Sequence, residues 1–153
     1  MRAARVLVQH LRVSAGGKPG FSFSVCEMGR RRAAFGREME RSGIRHALVY
    51  GANRSGSAVS WLTGWPVTRE ALLVVAPEPD DDVLLVSFFN HVPQARRLAV
   101  TRVEWAGARA VTTALVVMAA RGGLPGRIGL AGALPFDQYR LHGCLILSTG
   151  SER

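Results

Sequence analysis

GIRHALVYGANRSGSAVSWLTGWPVTREALLVVAPEPDDDVLLVSFF, residues Gly43 to Phe89, decides the fold, because three apolar runs are separated there by two different kinds of connection. Ala47–Tyr50 is a brief run stopped by Gly51, whereas Ala71–Ala76 and Val83–Phe88 are longer and rich in Leu and Val. All three read as strands. Pro77-Glu78-Pro79-Asp80-Asp81-Asp82 separates the last two; prolines fix φ and carboxylates favour turns and water, so it reads as a solvated hairpin tip. Between the first two, Ser55 and Ser57 offer N-cap hydroxyls to a short helix with Ala58, Trp61 and Leu62 at helical spacing, stopped by Gly64 and Pro66.

The pattern extends outward on both sides. From about Glu27 to Ser42, Met28, Phe35 and Met39 form one stripe of an amphipathic helix with arginines on the other faces, closed by Gly43. After the hairpin, Asn90 is placed to cap a helix to about Ala99, with Val92, Ala95 and Leu98 inward and Pro93 tolerated in the first turn. Arg102–Trp105 reads as a strand. Thr112 or Thr113 caps a third long helix with Leu115, Met118 and Ala119 inward, ended by Gly122-Gly123. Arg127–Ala131 is the next strand, and a short helix opens at Pro135. Such alternation predicts an α/β fold, a mixed five- to six-stranded sheet flanked by helices.

At 153 residues with 48% hydrophobic content the chain suffices for one domain with a sizeable core. Residues 1–20 contain no acidic residue and carry Gly16-Gly17 and Pro19-Gly20, so they read as a flexible extension with Val6-Leu7-Val8 as a short strand. Residues 21–147 form the domain, and 148–153 a polar tail. No apolar run approaches the ~18 residues of a membrane span, and the start is too polar for a secretory signal, although its Arg-rich character weakly resembles an organelle presequence. The expected compartment is the cytoplasm. Cys26 and Cys144 make neither a disulfide framework nor a CxxC site, and each reads as a small packed residue.

Charge is uneven. Residues 1–54 hold 11 Lys and Arg against 3 acidic residues, while 55–153 hold 9 against 8. A basic half suits a nucleic-acid partner. Yet 19 of the 20 basic residues are arginine and aromatic residues are not interleaved with them, so nucleic acid is the weaker alternative.

Several motifs fail on chemistry. Gly51-Ala-Asn-Arg-Ser-Gly56 has the glycine spacing of a P-loop, but Ser57-Ala58 stands where Lys and Ser/Thr are required. Asn53-Arg54-Ser55 matches a glycosylation sequon without a secretory context. Ser55, Ser57 and Ser60 lack a G-x-S-x-G elbow and an identifiable His or Asp partner. His10, His46, His91 and His142 have no metal-ligand spacing and read as surface or strand-end residues. A two-metal hydrolytic site needs carboxylates from separate strands holding ions about 3.5–4 Å apart. Only four Asp are present, of which Asp80, Asp81 and Asp82 are consecutive and Asp137 is isolated.

The order of an Arg-rich helix, a Gly-Ile-x-x-Ala-Leu-Val strand, a Trp-Leu-Thr-Gly-Trp helix end, an Ala-Leu-Leu-Val-Val strand and an acidic hairpin resembles the N-terminal domain of the creatinase, prolidase and aminopeptidase P family. The likeness runs from near Phe23 to about Tyr139, through Arg127–Gly132 and Leu134–Tyr139. It implies a ribonuclease H-like architecture and a non-catalytic role in assembly and substrate gating beside a metal-dependent Xaa-Pro peptidase or creatinase-type hydrolase. The "pita-bread" catalytic domain of that family, whose two Asp, one His and two Glu hold divalent metals, has no counterpart here. The resemblance therefore implies no catalytic, cofactor-binding or metal residue in this chain. Its implied partners are a second copy, as a homo-oligomer, or a pita-bread domain, with no membrane partner. It also makes Trp65 and Arg69 candidates for an interface or for gating substrate, on a short stiff loop set by Gly64 and Pro66. Leu141–Arg153 stands where the family continues into catalysis, which implies a truncated or stand-alone copy.

Overall fold

A computed structural model describes residues 23–52, 58–122, 127–132 and 146–148. The expectations for residues 1–20, Ser55, Ser57, the Gly51–Gly56 loop, the helix from Pro135, Asp137, Cys144, His10, His142 and the polar tail lie wholly or partly outside them.

Among the described residues six strands form one mixed sheet: β1 (His46–Ala52), β2 (Glu70–Val75), β3 (Val83–Val86), β4 (Arg102–Trp105), β5 (Ile128–Ala131) and β6 (Ile146–Ser148), in the order β4-β3-β2-β1-β5-β6. Antiparallel pairing joins β1 to β2 and β2 to β3, with Ala47 opposite Val75 and Ala71 opposite Val86. The outer pairs β3–β4, β1–β5 and β5–β6 are parallel.

Four α-helices among the described residues accompany the sheet: α1 (Val25–Arg41), α2 (Ala58–Thr63), α3 (Val92–Leu98) and α4 (Ala110–Ala120). Because strand side chains alternate between faces, Ala71, Leu73 and Val75 enter one core with Val59, Leu62 and Trp65, while Leu72 and Val74 enter a second with Ala114 and Met118. Helices on both faces leave β2 no solvated side, which is why its sequence is a continuous apolar run. Each fully buried Leu or Val contributes about 1.5–3 kcal/mol.

The first helix starts earlier than its apolar stripe predicts. Ser24 caps it, its Oγ accepting from the Glu27 N–H at 3.2 Å. Its end is a Schellman motif: Gly43, at φ 64°, donates to Glu40 O, and Ile44 donates to Met39 O.

Five expectations are corrected. Arg31 and Arg32 are buried, where the helix pattern put arginines on outward faces. Asp82 is only 2% exposed, unlike Glu78, Asp80 and Asp81 at the solvated tip. A 3₁₀ turn over Phe89–His91 precedes α3, so Asn90 does not cap it, and Leu98 is exposed at 47%. At α4, Arg109 occupies the cap position, Thr113 instead donates its hydroxyl to Ala106 O at 2.7 Å, and Ala114, Val117 and Met118 are buried while Ala119 is exposed. Cys26 is exposed, not packed.

Candidate functional site

Trp65 and Arg69, expected together on one stiff loop, part company. Gly64 turns the chain at φ 78°, and Thr63 locks the turn: its hydroxyl donates to Val59 O at 2.7 Å and accepts the Trp65 N–H at 3.1 Å. That turn drives the Trp65 ring inward, where it is 1% exposed among Val59, Leu62 and Val67. The Trp65 ring is thus a core ring; a large apolar ring beside a sheet face gains more by burial than by exposure. Arg69, two residues past Val67, is exposed.

Arg69 belongs to an aromatic face that the sequence reading missed. Its guanidinium lies 5.3 Å from the Phe88 ring centroid, within cation–π range. Phe88 tilts against His91 at 5.6 Å, and Phe89 meets Trp105 edge-on at 5.6 Å. These rings remain open to water: Phe88 is 42%, Phe89 70% and Trp105 50% exposed. The β3–β4 register explains their meeting. Val86 lies opposite Trp105 in a parallel pair, so both strands end on the same side of the sheet, where Arg69 also leads into β2.

Polar contacts fix this end. Trp105 Nε1 donates to Ser87 O at 3.2 Å, and Ser87 Oγ bonds Glu70 Oε2 at 3.2 Å. Thr68 Oγ1 and His91 Nδ1 are 3.2 Å apart. Beside Phe88 an open cleft of about 350 Å³ is bounded by Glu70, Ser87, Arg109 and Thr112. Phe88-Phe89 followed by a strand ending in Trp105 was the available signal, but pairing across the sheet is needed to read it.

The remaining candidates are structural. His46 is the first residue of β1 but is buried, and burial together with Arg45 lowers its pKa. Asp82 is committed to Arg32, and among the described residues no group of three or more His, Cys, Asp or Glu could hold a metal ion. The donor set of the described residues does not fit a dinuclear centre. Arginines of α1 are largely engaged within the fold: Arg30 and Arg31 pair with Glu27, Arg32 with Asp82 and Arg41 with Glu38. That arrangement gives the nucleic-acid alternative no support. No helix among the described residues is long and apolar enough to cross a membrane.

Neither family models nor curated proteins give a match to this chain. Solved structures do. An Xaa-Pro aminopeptidase from Streptococcus pyogenes superposes with a TM-score of 0.62 at 16% identity, over 82% of this chain and 93% of that one. The N-terminal creatinase/prolidase-like domain of a Corynebacterium diphtheriae protein described as a metallopeptidase gives 0.54 at 17% identity, over 73% and 82%. The fold is that of the creatinase and prolidase N-terminal domain. Dipeptidase PepE from Mycobacterium ulcerans also superposes, with a TM-score of 0.63 at 16% identity, over 84% of this chain and 36% of that one.

Proposed function

We propose that this chain is the non-catalytic N-terminal domain of an Xaa-Pro peptidase or creatinase-like metallohydrolase, as part of such an enzyme or as a stand-alone copy, acting in assembly and substrate gating. The observation that carries the reading is the likeness of fold over 82% of the chain to an Xaa-Pro aminopeptidase. The aromatic face around Arg69 supports the assembly role, since exposed aromatic rings flanked by arginine are the composition of an interface anchor. Arg69 keeps its proposed place at the interface, while Phe88, Phe89 and Trp105 take the part first given to Trp65. Divalent metals belong, in this reading, to the catalytic domain of the enzyme.

Two measurements test it. The purified chain, incubated with Mn²⁺, Co²⁺ or Zn²⁺ and dialysed, is expected to retain no stoichiometric metal and to hydrolyse no Xaa-Pro dipeptide. Turnover abolished by a chelator overturns the non-catalytic half. In sedimentation, the chain is expected to associate with itself or with an added pita-bread catalytic domain. A strict monomer that leaves that domain unbound overturns the assembly half.

A further inference from the structure

The β2–β3 hairpin has two ends of opposite chemistry. Its turn, Pro77-Glu78-Pro79-Asp80-Asp81, is exposed at every residue. Glu78 sits between two prolines at φ −91° and ψ 129°, extended as a residue preceding proline must be, and Pro79–Asp81 then form one 3₁₀ turn closed by the Asp81 N–H donating to Glu78 O at 3.0 Å. The tip therefore presents two proline rings and three carboxylates on a short stiff segment. At the other end of the hairpin stand Phe88 and Phe89 with Trp105 from the end of β4, exposed Arg69 over the Phe88 ring and exposed Arg109 bordering the same cleft as Phe88. Antiparallel pairing of Ala71 with Val86 and of Val74 with Val83 puts these two ends roughly one strand length apart, about 17–20 Å.

Each end has what the other lacks. Exposed proline rings pack flat on aromatic faces, and a turn already stiffened by two prolines loses little entropy on docking. Carboxylates seek arginines that already lie over a ring, where the guanidinium fork stays free for a second contact. Because the two ends point away from each other on one molecule, they cannot meet within it.

We propose that the Pro77–Asp81 tip of one copy docks on the Arg69, Phe88, Phe89, Trp105 and Arg109 face of a second copy, joining chains head to tail. This deepens the assembly half of the reading above and rests on it. A contact between unlike surfaces does not close on itself as a two-fold dimer does, so it extends into rings or short chains as concentration rises. Net charge of +9 on each copy opposes association overall, so the acidic tip is the part of the surface able to approach the arginine-flanked face.

Complementation of two variants of the full chain tests this. One variant carries Glu78→Gln, Asp80→Asn and Asp81→Asn, leaving the buried Asp82 intact; the other carries Arg69→Gln and Phe89→Ser, both exposed in the parent. Thermal melts confirm that each folds like the parent, and sedimentation velocity follows association over a concentration series. The parent is expected to form a ladder of oligomers that shortens as salt is raised, because screening weakens exposed charge pairs. Each variant alone is expected to associate at least ~10-fold more weakly, and their mixture to form a dimer that grows no further, since each contributes one working end. A tip variant that associates like the parent overturns the proposal while leaving the assembly reading intact. A parent that stays monomeric at low salt also overturns it, and its binding to a pita-bread domain or to an acidic proline-containing peptide then shows which other occupant the face takes. Should the Phe89→Ser change unfold the chain, Arg69→Gln alone serves as the face variant.

Discussion

Arg32 and Asp82, fifty residues apart, form a two-pronged pair beneath the hairpin: Nε meets Oδ2 at 2.5 Å and Nη2 meets Oδ1 at 3.0 Å. The same carboxylate accepts the Ala76 N–H at 2.9 Å, and the same guanidinium donates to Ala76 O. One ion pair thus ties α1 to the β2–β3 turn and satisfies both backbone groups where the strand ends. Burial pushes the Asp82 carboxyl upward in pKa, against the pull of Arg32 and of the Ala76 N–H.

Breaking this pair from one side leaves a charge without its partner, at 11% and 1% side-chain exposure for Arg32 and Asp82. Asp82→Ala or Arg32→Ala is expected to cost about 3–5 kcal/mol in urea unfolding. Arg32→Met combined with Asp82→Leu is expected to recover most of that loss, because the desolvation cost disappears with the charges. A double variant no more stable than the worse single one would show that the ion pair itself, and not its desolvation, controls this corner.

Trp65→Ala removes a core ring, and its expected cost is about 3–5 kcal/mol of stability. Arg69→Gln, at an exposed position, is expected to stay within about 0.5 kcal/mol of the parent. Thermal melting of both separates the two former companions: a Trp65→Ala chain as stable as the parent would contradict its place among Val59, Leu62 and Val67.

The central strands and α1 were legible because their apolar spacing is set by local geometry: Ala71–Ala76 reads as a strand from composition alone and is one through Val75. Ser24 and Glu27 also spell a capping box in the sequence, a signal that starts the helix before its first buried methionine. What local spacing could not convey is partnership across the chain. Arg32 looks solvated on its own helix and Asp82 looks solvated on its own turn; only their meeting makes both buried. Likewise the aromatic face joins residues from the ends of β3 and β4, which become neighbours only through the parallel pairing. Residue spacing could not choose between a core and an interface place for Trp65, because the direction of the ring depends on Thr63 bonding the turn.

Acid should loosen the start of α1. Glu27 bonds Arg30 at 2.7 and 2.8 Å and Arg31 at 2.9 Å, and these hydrogen bonds, Arg30's foremost, lower its pKa from 4.5 to about 2. A depressed carboxyl adds stability that is fully present above 4.5 and is lost as pH falls toward about 2. Its exposure keeps the effect small. Urea unfolding across that interval is expected to show a shallower decline for Glu27→Gln than for the parent, and parallel declines would remove Glu27 from the account. His46 adds a slope of the same sign nearer neutrality: its lowered pKa keeps it neutral in the fold, so stability falls as pH drops below 6.5 and the unfolded chain takes up the proton first.

Gly132 marks where β5 must stop beside β1. It adopts φ 97°, and a Cβ built there would stand 2.3 Å from Tyr50 O, a backbone atom that cannot swing aside. Two costs therefore combine in Gly132→Ala: the conformational strain of a left-handed side-chain-bearing residue, about 1–3 kcal/mol, and a steric push against β1. The pairing pressed by that contact is the parallel ladder of His46–Val49 with Ile128–Ala131. Gly132→Ala is thus expected to lower stability by more than the strain alone and to speed amide exchange in β5, while the β2–β3 hairpin exchanges as in the parent. By contrast Gly122→Ala, also at positive φ but with open space around its Cβ, is expected to cost only the strain. Equal losses for the two substitutions in urea unfolding would mean that Tyr50 does not constrain the turn.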